Sequence, residues 1–439
     1  MDTGHAAWVL TSASLVLLMT PGLALFYGGM TRSKSVLNMM MMSFGAMGIV
    51  TVVYILWGWS MSYGTDAFGA GTAGLFGNPF ELFGLDGVGG VDYLGVAFQL
   101  TFAIITAALI SGAIADRVKF STWMVFVPIW VTLSYFPLAH MVWGGGFLSG
   151  EPGALATRLF DDVAPVDYAG GTVVHINAGM AALVLALVIG VRRGFGKEPM
   201  RPHNLPFTML GAGLLWFGWF GFNVGSFVDP GGDLFDTFAA ETGLVWVNTT
   251  AATAAAMLGW LLIEKIRDGK GTSLGAASGV VAGLVAITPA CGSLSPIGSM
   301  ILGAVAGGAA ALAVGLKYKF GYDDSLDVVG VHLVAGLIGT VGIGLLATSG
   351  GLLYGDGGSL LVVQAVVALF AVLWSGVFTL VIALALKYTL GWRIEEDDEV
   401  EGIDFVEHGE SAYDLSPTAG ARRGSSVLAK HSVSEGANA

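Results

Sequence analysis

The chain has 439 residues, 54% of them hydrophobic and only 12% charged, with a formal charge of −13. A soluble domain carries about 25% charged residues, so the balance excludes one and points to an all-α polytopic membrane protein. The acidic excess lies in loops and the C-terminal tail, which argues against nucleic acid as a partner. The single Cys291 excludes an intrachain disulfide and any multi-cysteine metal site.

The first apolar stretch, 8–28, has no basic segment before it and no small-residue cleavage site, so it reads as a retained span and not a removed signal peptide. Ten more windows are long enough to cross about 30 Å of hydrocarbon. They fall at 38–62, 93–115, 121–141, 168–190, 205–226, 240–263, 274–294, 298–317, 326–348 and 360–388. Eleven transmembrane helices are therefore expected, with TPACG at 288–292 ending the eighth because proline interrupts helical hydrogen bonding.

Lysine and arginine set the orientation. Arg32 and Lys34, Arg117 and Lys119, Arg192 and Arg193, Lys265 and Arg267, and Lys317 and Lys319 all follow odd-numbered spans. Of the alternate loops, only 142–167 carries a base, Arg158, so 18 of 19 basic residues fall on one side. The positive-inside rule puts the N-terminus out and the C-terminus in.

A motif occurs twice along this order. Asp167 to Gly179 (DYAGGTVVHINAG) aligns without gaps on Asp324 to Gly336 (DSLDVVGVHLVAG), and five of 13 positions coincide, including the histidines His175 and His332. Span 5 runs inward and span 10 outward, and at 1.5 Å per residue each histidine lies roughly 12 Å beyond its aspartate. Entered from opposite faces, both histidines are expected near the midplane. The implied architecture is an inverted 5+5 repeat with one extra helix.

An ionisable side chain in hydrocarbon is costly and marks a functional site by default. Two neutral imidazoles can share one proton and leave their outer nitrogens for a small polar guest that donates and accepts hydrogen bonds. A bare metal cation would want carboxylate or carbonyl oxygens instead. A competing reading makes His175 and His332 haem or metal ligands of a membrane enzyme or electron carrier. Asp167 is placed to cap its helix, whereas Asp324 and Asp327, beside Lys317 and Lys319, are expected to be solvated and structurally paired. A second group of side chains lies toward the outer ends: Phe102, Trp143 before a triple glycine, and Phe222 and Ser226 in WFGWFGFNVGS. Aromatic faces can attract a cation there, and Ser226 offers an acceptor oxygen. Trp216, Phe217, Trp219 and Phe220 read as mixed interfacial belt and packing.

These stretches, with MVWGGG, ATAAAMLGW, SGVVAGLVAITPACG and the tail motif HGESAY, resemble the ammonium transporter (Amt/Mep/Rh) family, bacterial Amt branch, over about residues 8 to 413. The resemblance implies ammonium transport, and not enzyme catalysis, by a homotrimer in the cytoplasmic membrane, without cofactor or bound metal. Phe102, Trp143 and Ser226 would form an outer ammonium site, Phe102 and Phe222 a stacked gate, and His175 and His332 the lumen's proton relay. Asp167, Trp219 and Asp327 would support the site, Asp167 without touching the ion. Ammonium would lose a proton at the outer site and continue as NH3, with the proton relayed separately. An electroneutral NH3 gas channel and an ammonium sensor with little transport are the alternatives. The transmembrane domain would span 1–390 and a cytoplasmic regulatory tail 391–413, with Gly391, His408, Gly409, Glu410 and Tyr413 contacting neighbouring subunits beside a docking face for a PII-type signal protein. Residues 414–439 are expected to be disordered. The sequence departs from the family at Tyr168, where phenylalanine is common, and in a longer 144–166 loop carrying Arg158, Asp161 and Asp162.

Overall fold

The computed structural model describes residues 2–67, 73–160, 163–198, 200–228 and 234–413. Asp161, Asp162 and residues 414–439 lie outside that set. Regular structure among the described residues is helical, and extended pairing is limited to isolated bridges such as Leu294 with Ala347. The helices are α1 (Thr3–Met30), α2 (Val36–Tyr63), α3 (Asp92–Ile114), α4 (Phe120–Trp143), α5 (Gly171–Ile189), α6 (Leu205–Val224), α7 (Phe235–Asp268), the shorter α8 (Ser273–Ile287), α9 (Pro296–Phe320), α10 (Val329–Leu346) and α11 (Ser359–Thr389). All but α8 are long and apolar enough to cross a membrane, which makes ten such helices among the described residues. The chain is a multi-pass membrane protein.

The eighth expected span ran to 294, but regular α8 is 15 residues long and stops at Ile287. The TPACG segment turns there, as its proline requires, and Asn248 Nδ2 takes up the freed carbonyls of Cys291 (2.8 Å) and Leu294 (2.7 Å).

Small residues let the helices close on one another, the main route to tight association where lipid competes equally for apolar side chains. A Cβ at Gly211 of α6 would collide with the backbone of Phe26 on α1, and Cβ atoms at Gly303 and Gly307 of α9 with Ala252 and Ala256 of α7. Leu258, Leu262, Leu373 and Val377 are exposed along the helix flanks, the surface that lipid tails would cover.

At the end of the bundle bearing the basic loops, buried ions tie the helices together. The Arg192 guanidinium donates to both carboxylate oxygens of Asp323 (2.9 Å each) and to Asp116 (3.0 Å). Arg117, fully buried, donates to Ser325 Oγ (2.6 Å) and to the Asp323 carbonyl (2.7 Å). Breaking one such pair strands a buried charge, which costs about 3–5 kcal/mol.

The segment after α11 forms two single-turn helices, α12 (Glu396–Glu401) and α13 (Ile403–His408), laid across that end. The buried Asp404 carboxylate accepts from the N–H groups of Asn38 (2.8 Å) and Leu37 (3.0 Å) at the start of α2. Glu407 accepts from the Phe120 N–H (2.9 Å) at the start of α4. Neither helix has a capping side chain of its own, since Ser35 makes no such bond and Lys119 has no acceptor. The tail therefore supplies from a distance the anionic caps that helix N-termini favour. His408 Nε2 meets Asn38 Oδ1 (3.0 Å), Tyr413 OH meets His203 Nε2 (2.9 Å), and the Gly391 carbonyl accepts from Thr122 Oγ1 (2.7 Å). Gly391 and Gly409 take the left-handed backbone, φ +72° and +69°, at the two bends. Glu410 is exposed.

Candidate functional site

The two copies of the motif meet at the centre of the bundle, and their contacts are reciprocal. Gly179 of α5, four residues after His175, is so close to α10 that an added Cβ would lie 2.5 Å from the Leu333 nitrogen. Gly336 of α10, four residues after His332, faces His175 and Ile176 in turn, 3.2 Å from the His175 Cβ. Only glycine permits that approach, and it brings the rings together. Nδ1 of His175 and Nδ1 of His332 are 3.3 Å apart, with ring planes 20° from parallel. Both histidines are buried in π-helical turns, Gly171–Ile176 and Val329–Val334. Such turns are rare and frequent at functional sites. Neither could be read from the sequence.

Each turn is entered through a carboxylate. Asp167 accepts from the N–H groups of Gly170 (2.9 Å), Gly171 (2.5 Å), Thr172 (2.9 Å) and Val173 (3.3 Å), and from the Thr172 hydroxyl. Asp324 accepts from Val328 N–H (3.0 Å) and Val329 N–H (2.7 Å). The expectation that Asp324 is solvated is corrected: it is 2% exposed and occupies in α10 the place Asp167 occupies in α5. Burial pushes its carboxyl up to about 6, against the opposing pull of Lys317. The neighbouring lysines misled the sequence reading. Lys317 Nζ in fact pairs with Asp327 (2.7 Å) and with the backbone carbonyl of Asp324 (2.9 Å), so Asp327 is the paired residue expected and Asp324 is the cap.

Above the histidines the aromatics are layered. Phe102 and Phe222 stack face to face, centroids 4.0 Å apart and planes 15° from parallel, and both are 1% exposed. Trp143 stands edge-on to Phe102 at 6.1 Å and donates its Nε1–H to the Asp167 carbonyl (2.9 Å). Asp167 thus holds the tryptophan through its backbone while its carboxylate caps α5. Ser226 Oγ donates to the Phe222 carbonyl (2.8 Å), which leaves its lone pairs free for a cation. Trp219 belongs to the core and not to an interfacial belt: its ring stacks on His175 at 5.4 Å and 15°, with Nε1 anchored on Thr288 Oγ1 (2.8 Å).

These layers divide the space in two. Outside the phenylalanine pair lies an open vestibule of about 660 Å³, walled by Phe102, Trp143, Tyr168 and Ser226 among others. Inside it, beside His175, His332 and Trp219, a cavity of about 10 Å³ is lined otherwise by apolar side chains. That is space for about one water-sized molecule, and not for an ion with its hydration shell. His175 Nε2 is buried there without a partner in the protein. When two neutral rings share one proton between their Nδ1 atoms, one Nε2 is left bare and the other carries hydrogen. The pair can then accept from and donate to a single small guest. Among the described residues no group of three or more His, Cys, Asp or Glu is placed to hold a metal ion.

Comparison with known proteins gives a consistent result. The model of the Ammonium Transporter Family matches residues 7–413. An ammonium transporter of Mycobacterium tuberculosis H37Rv is 51% identical, over 95% of this chain and 92% of its own length. One from Aquifex aeolicus is 46% identical, over 94% of each chain. Among solved structures, that of Candida albicans Mep2 superimposes with a TM-score of 0.79 at 31% identity, covering 91% of this chain and 88% of the other. A sensor Amt protein gives 0.81 at 28% identity, covering 92% and 98%.

Proposed function

Since this chain belongs to the ammonium transporter family, we propose that it moves ammonium across the cytoplasmic membrane by removing a proton at an outer site and passing ammonia through the histidine-lined lumen. The observation that carries this reading is the His175–His332 pair, 3.3 Å apart at Nδ1, in a cavity of about 10 Å³ below the Phe102–Phe222 stack.

NH4+ and K+ have similar radii, so a size filter cannot separate them. Stripping the water from either ion in an apolar lumen is prohibitive. Ammonium alone can leave its charge behind as a proton. In the vestibule the ring faces of Trp143 and Phe102 attract the cation and Ser226 Oγ accepts a hydrogen bond from it. Ammonia then slips past the two phenylalanine rings when they rotate, and the histidine pair receives it, one Nε2 accepting and one donating. The proton crosses separately by way of the imidazoles, and the net event is electrogenic uptake of NH4+. An electroneutral NH3 channel would lack that proton path.

The same reading takes α1 to α11 as eleven spans in an inverted 5+5 repeat with α11 appended, N-terminus out and C-terminus in. It takes the working form as a homotrimer. The strap 391–413 then lies on the cytoplasmic face, regulating transport beside the docking surface of a PII-type protein. Expressed in cells that lack their own ammonium uptake, at low ammonium and acidic pH, the protein is expected to restore growth. No growth, with the protein confirmed in the membrane, overturns transport and favours a sensor, the description one similar structure carries.

A further inference from the structure

We propose that Glu241, held by Tyr168, is the vestibule's cation-attracting charge and sets the protein's apparent affinity for ammonium. This rests on the transport reading and adds a residue to it. None of the described residues that line the vestibule is a carboxylate, and Asp167 is occupied by five donors of its own helix. A wall of aromatic rings, the Gln99 amide and the hydroxyls of Tyr63, Tyr168 and Ser226 offers dipoles, which reach less far toward a hydrated cation than a charge does. Tyr168 changes that. Its ring lines the vestibule, and its hydroxyl donates to Glu241 Oε1 at 2.7 Å, on the first turns of α7.

The ring is fixed from both sides. Its backbone N–H bonds the Pro289 carbonyl (3.2 Å), and an added Cβ at Gly292 would lie 2.6 Å from its edge. The carboxylate is therefore placed no more than one tyrosine ring behind the cavity wall. Burial, followed by the neighbouring Cys291 and Glu241, pushes the Tyr168 phenol far up, so it remains the donor in this bond. A phenylalanine, which the family resemblance leads one to expect at 168, could not make this bond. An anion beside a low-dielectric cleft raises the local concentration of a cation, an effect that salt weakens.

The test uses the purified full chain and ammonium chloride, with sodium chloride as control. Two readouts are taken: the ammonium-dependent rise in Tm, which reports binding, and the current after an ammonium jump on a supported membrane. Glu241→Gln is expected to raise the half-saturating ammonium concentration about three- to ten-fold. Its maximal current should be unchanged, and its half-saturation should depend less on ionic strength. Tyr168→Phe should shift in the same direction by less, and Glu241→Asp should stay near the unsubstituted value. Unchanged half-saturation with an unchanged salt dependence overturns the assignment. So does a lower maximal current at constant half-saturation, which would make the Tyr168–Glu241 bond a structural tie alone. If the unsubstituted protein binds ammonium but passes no current, the transport reading falls and the binding comparison still decides the role of Glu241. Absence of both an ammonium-dependent stabilisation and a current overturns both.

Discussion

Replacing His175 with alanine should open the lumen to K+. The unsubstituted protein is expected to give no K+ current, because about 10 Å³ of apolar space beside two imidazoles cannot house a hydrated ion and a bare one has no partners there. His175→Ala removes the ring that stacks on Trp219 and pairs with His332. The space it vacates admits water, and water lets a cation cross without losing its shell. The K+ current should rise from undetectable to the same order as the ammonium current, and His332→Ala should behave alike because the two rings form one unit. Currents from K+ and ammonium jumps on the same supported membrane measure this. A variant that stays ammonium-selective would show that filtering occurs in the phenylalanine layer and not at the histidines.

The largest loss of stability is expected from Asp167→Ala. Four backbone N–H groups and one hydroxyl lose their acceptor together, and each unsatisfied buried group costs roughly 1–3 kcal/mol. The sum is comparable to the whole stability of a typical domain, about 5–15 kcal/mol. The Trp143 anchor moves with it, since that ring bonds the Asp167 carbonyl. The variant should accumulate poorly and, where recovered, melt far below the unsubstituted protein. Asp167→Asn should be milder. One carbonyl oxygen can still serve Gly170 and Gly171, while the new NH2 opposes the donors of Thr172 and Val173. A melting temperature for Asp167→Ala close to the unsubstituted value would contradict the capping role.

Much of this was legible in the sequence because the physics is local or periodic. Apolar runs marked the membrane helices, and the doubled motif marked His175 and His332 as partners. What escaped depended on contacts between distant segments. Asp324 was misread because Lys317 and Lys319 lie nearby in sequence, yet the chain turns so that Asp327 takes the lysine and Asp324 takes the backbone. The π-helical turns Gly171–Ile176 and Val329–Val334 and the close approach at Gly179 and Gly336 leave no mark in the apolar periodicity. Trp219 read as one of four aromatics of mixed belt and packing character, and only its position across from His175 shows it as core. The Tyr168–Glu241 bond joins residues 73 apart in the chain. The strap left a trace of a different kind: α2 and α4 begin without capping side chains, and the missing acceptors stand at Asp404 and Glu407, more than 280 residues later.

The central claim is that ammonium crosses by giving up its proton in a path too small and too apolar for an intact ion. Current from proteoliposomes on a supported membrane after matched jumps of ammonium and K+ tests it most directly. The account predicts a saturable inward current of positive charge for ammonium and none for K+. An equal current for the two ions would contradict it.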